Sequence, residues 1–164
     1  MALIVEDGTS KTDAESYASV AYADAYFSAR NINNWASNTA DKEGHLRLAT
    51  DYIEATYAEL WQGTKKERLQ ALQWPRDYVY VDGYSLDSNV IPKELMNACC
   101  ELAHRSVTET LLPDLTKSVK REKVDVIEVE YDTNSGDGVR YQQIDRMLSR
   151  YLVASGMFRK VVRS

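Results

Sequence analysis

Ile91-Pro92-Lys93-Glu94-Leu95-Met96-Asn97-Ala98-Cys99-Cys100-Glu101-Leu102-Ala103-His104-Arg105-Ser106-Val107 is the stretch on which the reading of this chain turns. Pro92 has its φ preset for a first helical turn, where a missing N–H costs nothing. Glu94 suits the positive end of the helix dipole. Leu95, Met96, Ala98, Cys99, Cys100, Leu102, Ala103 and Val107 then cover more than one face. An apolar belt that wide predicts a buried central helix, not a surface one. Leu111-Leu112-Pro113 closes the segment, because the residue before proline is pushed out of the α region.

The flanking segments are read as packing around this helix. Upstream, Ser16 or Ser19 can cap a first helix reaching about Arg30, with Val20, Ala23 and Phe27 on one face and Asn31, Asn33 and Asn34 ending it. Asn38 or Thr39 opens a second helix, with Asp41 and Glu43 in its first turn. Leu46, Ala49, Ile53 and Tyr57 form its stripe, Leu60 and Trp61 extend it, and Gly63 stops it. Residues 65–73 allow a short helix ending at Trp74-Pro75. Residues 77–84 place aromatic and β-branched side chains around Asp82-Gly83, the dipeptide of a tight hairpin turn. Residues 1–15 read as an extended arm with no core of its own.

Downstream, Lys117, Lys120, Arg121 and Lys123 precede a strand pattern in which Ile127, Val129 and Tyr131 alternate with Glu128 and Glu130. Residues 117–123 are the expected antiparallel partner of residues 124–131, and an isolated hairpin of this kind is marginal in water. A last helix is expected from about Val139 to Ala154, with Tyr141, Ile144, Leu148 and Tyr151 inward and Arg140, Arg146 and Arg150 outward. The expectation is a mainly α single domain over residues 1–164. Its parts are an arm (1–15), a helical core around the central helix (16–112), a β-hairpin arm (115–132), the last helix (139–155) and a C-terminal tail (156–164).

Composition narrows the function. The 164 residues carry a net charge of −5, and residues 1–62 hold ten acids against four bases. No general attraction to nucleic acid or anionic membrane follows from that balance. No apolar run approaches the length of a membrane span. The two cysteines, Cys99 and Cys100, are neighbours and poorly placed to pair, which fits synthesis in a reducing cytoplasm. Eleven tyrosines suit interfaces, though ordinary half-buried positions account for them equally well. The seven glycines are scattered and form no phosphate-binding loop. Cys100 and His104 stand four apart, half of a metal site at most, and small thiols on a buried helix are core packing in the main. His45 and His104 lie near no telling Ser or Cys motif, so no nucleophile–base pair and no enzyme is expected. The basic run at residues 117–123 is the best nucleic-acid feature, weakened by its acidic neighbours.

Several short motifs, in order, carry a family resemblance: MALIVEDGT at residues 1–9, AESY at 14–17, ADAY at 23–26, RLATDYI at 47–53, QALQWPR at 70–76, Ile91-Pro92, ELA at 101–103, LPD at 112–114, KREKV at 120–124 and IEVEY at 127–131. The chain resembles the head–tail connector (adaptor, head-completion) proteins of tailed bacteriophages, some of whose relatives are labelled DnaT-like single-stranded-DNA-binding proteins. The resemblance implies a helical subunit that forms a ring, usually twelve-fold, beneath the portal protein at the head–tail interface of the virion. The ring continues the DNA channel toward the tail or a tail-completion protein, with no cofactor, metal or catalytic residue. Two partner segments are expected. Lys120, Arg121, Lys123, Ile127, Val129 and Tyr131 would form an intersubunit β-arm. Met157, Phe158, Arg159, Lys160, Val161, Val162 and Arg163 would dock the portal. The alternative is a single-stranded-DNA-binding replication accessory protein.

Overall fold

The structure, a computed structural model, describes residues 2–33, 35–113, 122–124, 127–129 and 140–153. Its order is α1 (Val20–Ser28), α2 (Thr39–Tyr57), β1 (Thr64–Lys65), β2 (Arg76–Asp77), β3 (Tyr80–Val81), β4 (Tyr84–Ser85), α3 (Lys93–Ser106), β5 (Glu122–Val124), β6 (Ile127–Val129) and α4 (Gln142–Leu148). A 3-10 turn, Ser149–Tyr151, follows α4. Among the described residues the strands pair as β1–β2, β3–β4 and β5–β6, each antiparallel, so the fold is mainly α with short hairpins. Among the described residues no helix is long and apolar enough to cross a membrane.

The central helix is where its sequence places it. Pro92 stands at the N-cap of α3, Glu94 sits in the first turn, and His104 and Arg105 occupy the last, each on the favourable end of the dipole. Leu95, Ala98, Cys99, Cys100, Leu102 and Ala103 are buried. Helix α2 packs along α3 most extensively, and α1 and α4 pack on it as well. The caps follow local chemistry. Ser19 Oγ accepts from Tyr22 N at 3.1 Å, and Asn38 Oδ1 accepts from Asp41 N at 3.0 Å, each removing an orphan donor.

Phenol groups then tie the helices together. The Tyr22 hydroxyl donates to Asn97 at 2.8 Å, Tyr26 to Glu101 at 2.7 Å, Tyr57 to Asp145 at 2.6 Å and Tyr151 to Glu94 at 2.7 Å. Tyr17 donates to Glu54. Much of the acid excess is therefore bound into helix contacts. Burial, with the neighbouring carboxylates, drives the pKa values of Tyr17, Tyr26, Tyr57 and Tyr151 upward. A chain of ring contacts runs from Tyr52 through Tyr57, Trp61 and Trp74 to Tyr151, with centroids 5.7–6.5 Å apart.

Four expectations are corrected. Residues 1–15 are not an arm without a core: Ala14 and Glu6 are buried, and Val5 pairs with Ser16 in a parallel bridge. The Glu6 carboxylate accepts from the backbone N–H of Gly8 (2.9 Å), Ser10 (3.0 Å) and Lys11 (2.8 Å), which folds the segment on itself. Residues 65–73 form no helix after β1. Gln70 is buried and its amide donates to the carbonyls of Leu72 and Pro75, while Ala71 N donates to Lys11 O at 2.8 Å, so tertiary bonds replace helical ones. Helix α2 stops at Tyr57, short of Leu60 and Trp61. Trp61 instead forms an antiparallel bridge with Leu152. The last helix is shorter than expected, although Tyr141, Ile144, Leu148 and Tyr151 are all buried.

Candidate interaction surface

The surface begins at a turn. Asp82 and Gly83 both have positive φ (52° and 86°), the mirror-image turn that matches the twist of a two-residue hairpin. It pairs Tyr80 with Ser85 and Val81 with Tyr84. Val79 is fully buried, and Val81 and Leu86 pack against the core, so one side of the hairpin is anchored. Its tyrosines are not. Tyr78, Tyr80 and Tyr84 are 72%, 55% and 80% exposed, well beyond the tyrosines that tie the helices. Residues 77–87 hold Asp77, Asp82 and Asp87 and no Lys, Arg or His. The hairpin is thus an aromatic protrusion with a formal charge of three minus.

Gln62 fixes this protrusion to the end of the described chain. Its Oε1 accepts from Tyr80 N at 3.3 Å, and its Nε2 donates to the carbonyls of Arg150 (2.9 Å) and Leu152 (3.3 Å). Its backbone N donates to Tyr151 O at 2.9 Å, and Val153 N donates to Leu60 O at 2.7 Å. The 3-10 turn bearing Arg150 therefore lies against β3. The Arg150 guanidinium is 52% exposed and stands 4.0 Å from Glu94. Exposed Arg146 precedes it by one helical turn.

The expected β-arm forms over a shorter span. Glu122 faces Val129, Lys123 faces Glu128, and Val124 faces Ile127. Val124 therefore belongs to the first strand, not the second, since it is paired with Ile127. Of the arm residues, Lys123, Ile127 and Val129 lie in these strands, while Lys120, Arg121 and Tyr131 lie outside the described residues. The portal-docking segment, Met157, Phe158, Arg159, Lys160, Val161, Val162 and Arg163, lies outside them too.

The structure brings together one pair that the sequence separates by 61 residues. His45 Nδ1 and Ser106 Oγ are 2.8 Å apart. Ser106 Oγ also lies 2.7 Å from Ala103 O, to which it can donate, and with its proton there His45 is the donor of the pair. That direction is opposite to nucleophile activation, in which histidine takes the hydroxyl proton. The contact closes the end of α3. His104 faces elsewhere, its ring tilted 47° against Phe27 with centroids 5.5 Å apart. Burial pushes both the Cys99 and Cys100 thiols up, away from the reactive thiolate. Among the described residues no cluster of three His, Cys, Asp or Glu is placed to hold a metal ion.

Comparison with known proteins gives one match. A family model described as "Putative DnaT-like ssDNA binding protein" matches residues 1–164. No curated protein and no solved structure matches. The family's description agrees with the single-stranded-DNA alternative more closely than with a connector.

Proposed function

We propose, on the premise that the chain belongs to the DnaT-like ssDNA binding protein family, that it works as an assembly subunit: a connector that forms a ring below a phage portal, extends the DNA channel and joins head to tail. The observation that carries this reading is the β3–β4 hairpin. Exposed aromatic rings on acidic ground suit a protein partner and repel phosphate. The rest of the described domain buries its own core, so the hairpin's rings are surface in excess of what folding needs. A ring closes through two different faces of each subunit, repeated until rotation returns to the start. A net charge of −5 suits a channel through which DNA slides without being gripped. In this reading the protein is made in the host cytoplasm and ends in the virion, with portal, tail protein and further copies of itself as partners.

The second reading is direct binding of single-stranded DNA. Beyond the family's description, one juxtaposition favours it: β3, which carries exposed Tyr80, lies against the 3-10 turn that carries exposed Arg150, residue types that stack bases and pair phosphates. Two measurements on the full chain separate the readings. Solution mass and electron images are recorded with and without purified portal. Oligonucleotide affinity is measured over a salt series. A portal-bound ring indifferent to oligonucleotides supports the connector. A monomer that leaves portal alone, and binds single strands with a steep salt slope lowered by Arg150→Ala and Tyr80→Ala, refutes it and supports the second reading.

A further inference from the structure

The acidic hairpin has a counterpart in the same chain. Residues 77–87 hold three acids and no base, whereas residues 154–164 hold Arg159, Lys160 and Arg163 and no acid. The two segments are equal in length and opposite in charge, and each interleaves its charges with apolar or aromatic side chains: Tyr78, Tyr80 and Tyr84 in one, Met157, Phe158, Val161 and Val162 in the other. We infer that in the free subunit the C-terminal segment, residues 154–164, docks on the β3–β4 hairpin of its own chain, covering the exposed tyrosines and neutralising Asp77, Asp82 and Asp87.

Position supports the intrachain form. The described chain leaves at Val153, whose N–H is bonded to Leu60 two residues before Gln62. The Gln62 side chain in turn holds Tyr80 N and the carbonyl of Leu152, so exit point and hairpin share one amide. Eleven residues extend to roughly 36–40 Å, more than twice the radius of gyration, about 15 Å, expected of a domain this size. Reach is therefore no obstacle. A segment tethered this close meets the hairpin at an effective concentration of roughly millimolar, which weak contacts suffice to use. Arginine over tyrosine adds a cation–π component to the charge pairing. The protein itself supplies an example, with the Arg30 guanidinium 3.5 Å from the Tyr26 ring centroid. Two described bases close to the hairpin are already engaged: Arg76 is buried on the carbonyls of Gln62 and Gly63, and Arg150 stands 4.0 Å from Glu94.

Docking of this kind makes the hairpin and the segment mutually exclusive with outside partners. Whatever takes the segment uncovers the tyrosines. The inference does not depend on the ring, because it concerns the subunit before assembly.

The test places a nitroxide on Ser164→Cys in the full chain. Cys99 and Cys100 are fully buried with raised thiols, and are spared. Amide signals of residues 80–85 are followed in isotopically labelled protein. The expected result is loss of more than half their intensity at low salt. It should recover at 1 M salt, where the screening length falls to roughly 3 Å, and in the Asp82→Lys, Asp87→Lys double variant. A second sample mixes spin-labelled, unenriched chains with enriched chains that carry no label. Intrachain docking leaves the enriched chains of this mixed sample at full intensity; broadening that appears in it as well assigns the segment to a neighbouring copy and overturns the intrachain docking. Full intensity in both samples at low salt overturns docking altogether. Neither result bears on whether a portal ring forms, which the mass measurement reports separately.

Discussion

Leu102→Ala tests whether α3 is the centre of this fold. Leu102 is fully buried, on the helix that contacts α1, α2 and α4. The substitution removes three carbons, at about 0.8 kcal/mol per buried CH2, or about 2.4 kcal/mol of transfer energy. A cavity term is added because helices on several sides hold the walls apart and limit collapse. The expected cost is about 3–4 kcal/mol, a large share of the roughly 5–15 kcal/mol that holds a domain together. At roughly 2–4 °C per kcal/mol the melting temperature should fall by about 6–16 °C. Urea unfolding followed by circular dichroism gives the free energy, with the m-value unchanged if the native state is otherwise intact. Leu112→Ala is the control: the same chemistry at a site 49% exposed, expected to cost less than about 0.5 kcal/mol. If the two variants lose equal stability, or if Leu102→Ala loses less than about 1 kcal/mol, α3 is not the packed centre described here.

Three further outcomes follow from the same geometry. Glu54 is held by Tyr17 and by Gln73 N at 3.0–3.2 Å, yet burial outweighs these bonds and raises its carboxyl pKa. A folded-state value above the unfolded one stabilises the fold fully below the unfolded pKa, and that stability is lost as pH rises through the folded value. Wild type should therefore lose stability relative to Glu54→Gln between mildly acidic and neutral pH, by about 1.4 kcal/mol per pKa unit; a relative gain over that interval would contradict the sign. Gly8→Ala places a Cβ 1.8 Å from Asn89 O at a φ of 96°, and should cost about 1–3 kcal/mol for the strained backbone alone, with displacement of the 87–91 loop in addition; an unchanged melting curve would be inconsistent with the close approach. Cys99→Ala and Cys100→Ala should preserve fold and assembly, as measured by mass and circular dichroism, since neither thiol is given any chemistry; loss of assembly together with a bound metal would overturn that assignment.

What the sequence discloses and what it conceals divide along one physical line. Caps and turns are local: Asn38 satisfies an amide three residues on, and Asp82-Gly83 closes its own turn, so both are readable from spacing. The α3 belt is legible because a helix buried on several sides must be apolar on several sides. Glu6 defeats that kind of reading. A carboxylate near a chain start looks solvated, and only the curled backbone that aims three amides at it makes burial possible. The 65–73 segment fails for a related reason. Its helical propensity is real, but Ala71 bonds a carbonyl sixty residues away, and no local pattern announces that. The tyrosines are the mixed case. Their number hints at interfaces, while the split between phenols that tie helices and phenols that meet solvent needs the fold.

The Gln62 amide has a mechanical meaning. Only a side chain with an acceptor and a donor at one tip can hold the Tyr80 amide and the Arg150 and Leu152 carbonyls at once. A pull on the C-terminal end would load this junction and the Val153–Leu60 bond before it reached α3. The hairpin would shift with residues 152–153 while α3 kept its place. Tension at the chain end is in this way converted into displacement of an aromatic edge, with the core as the fixed anchor.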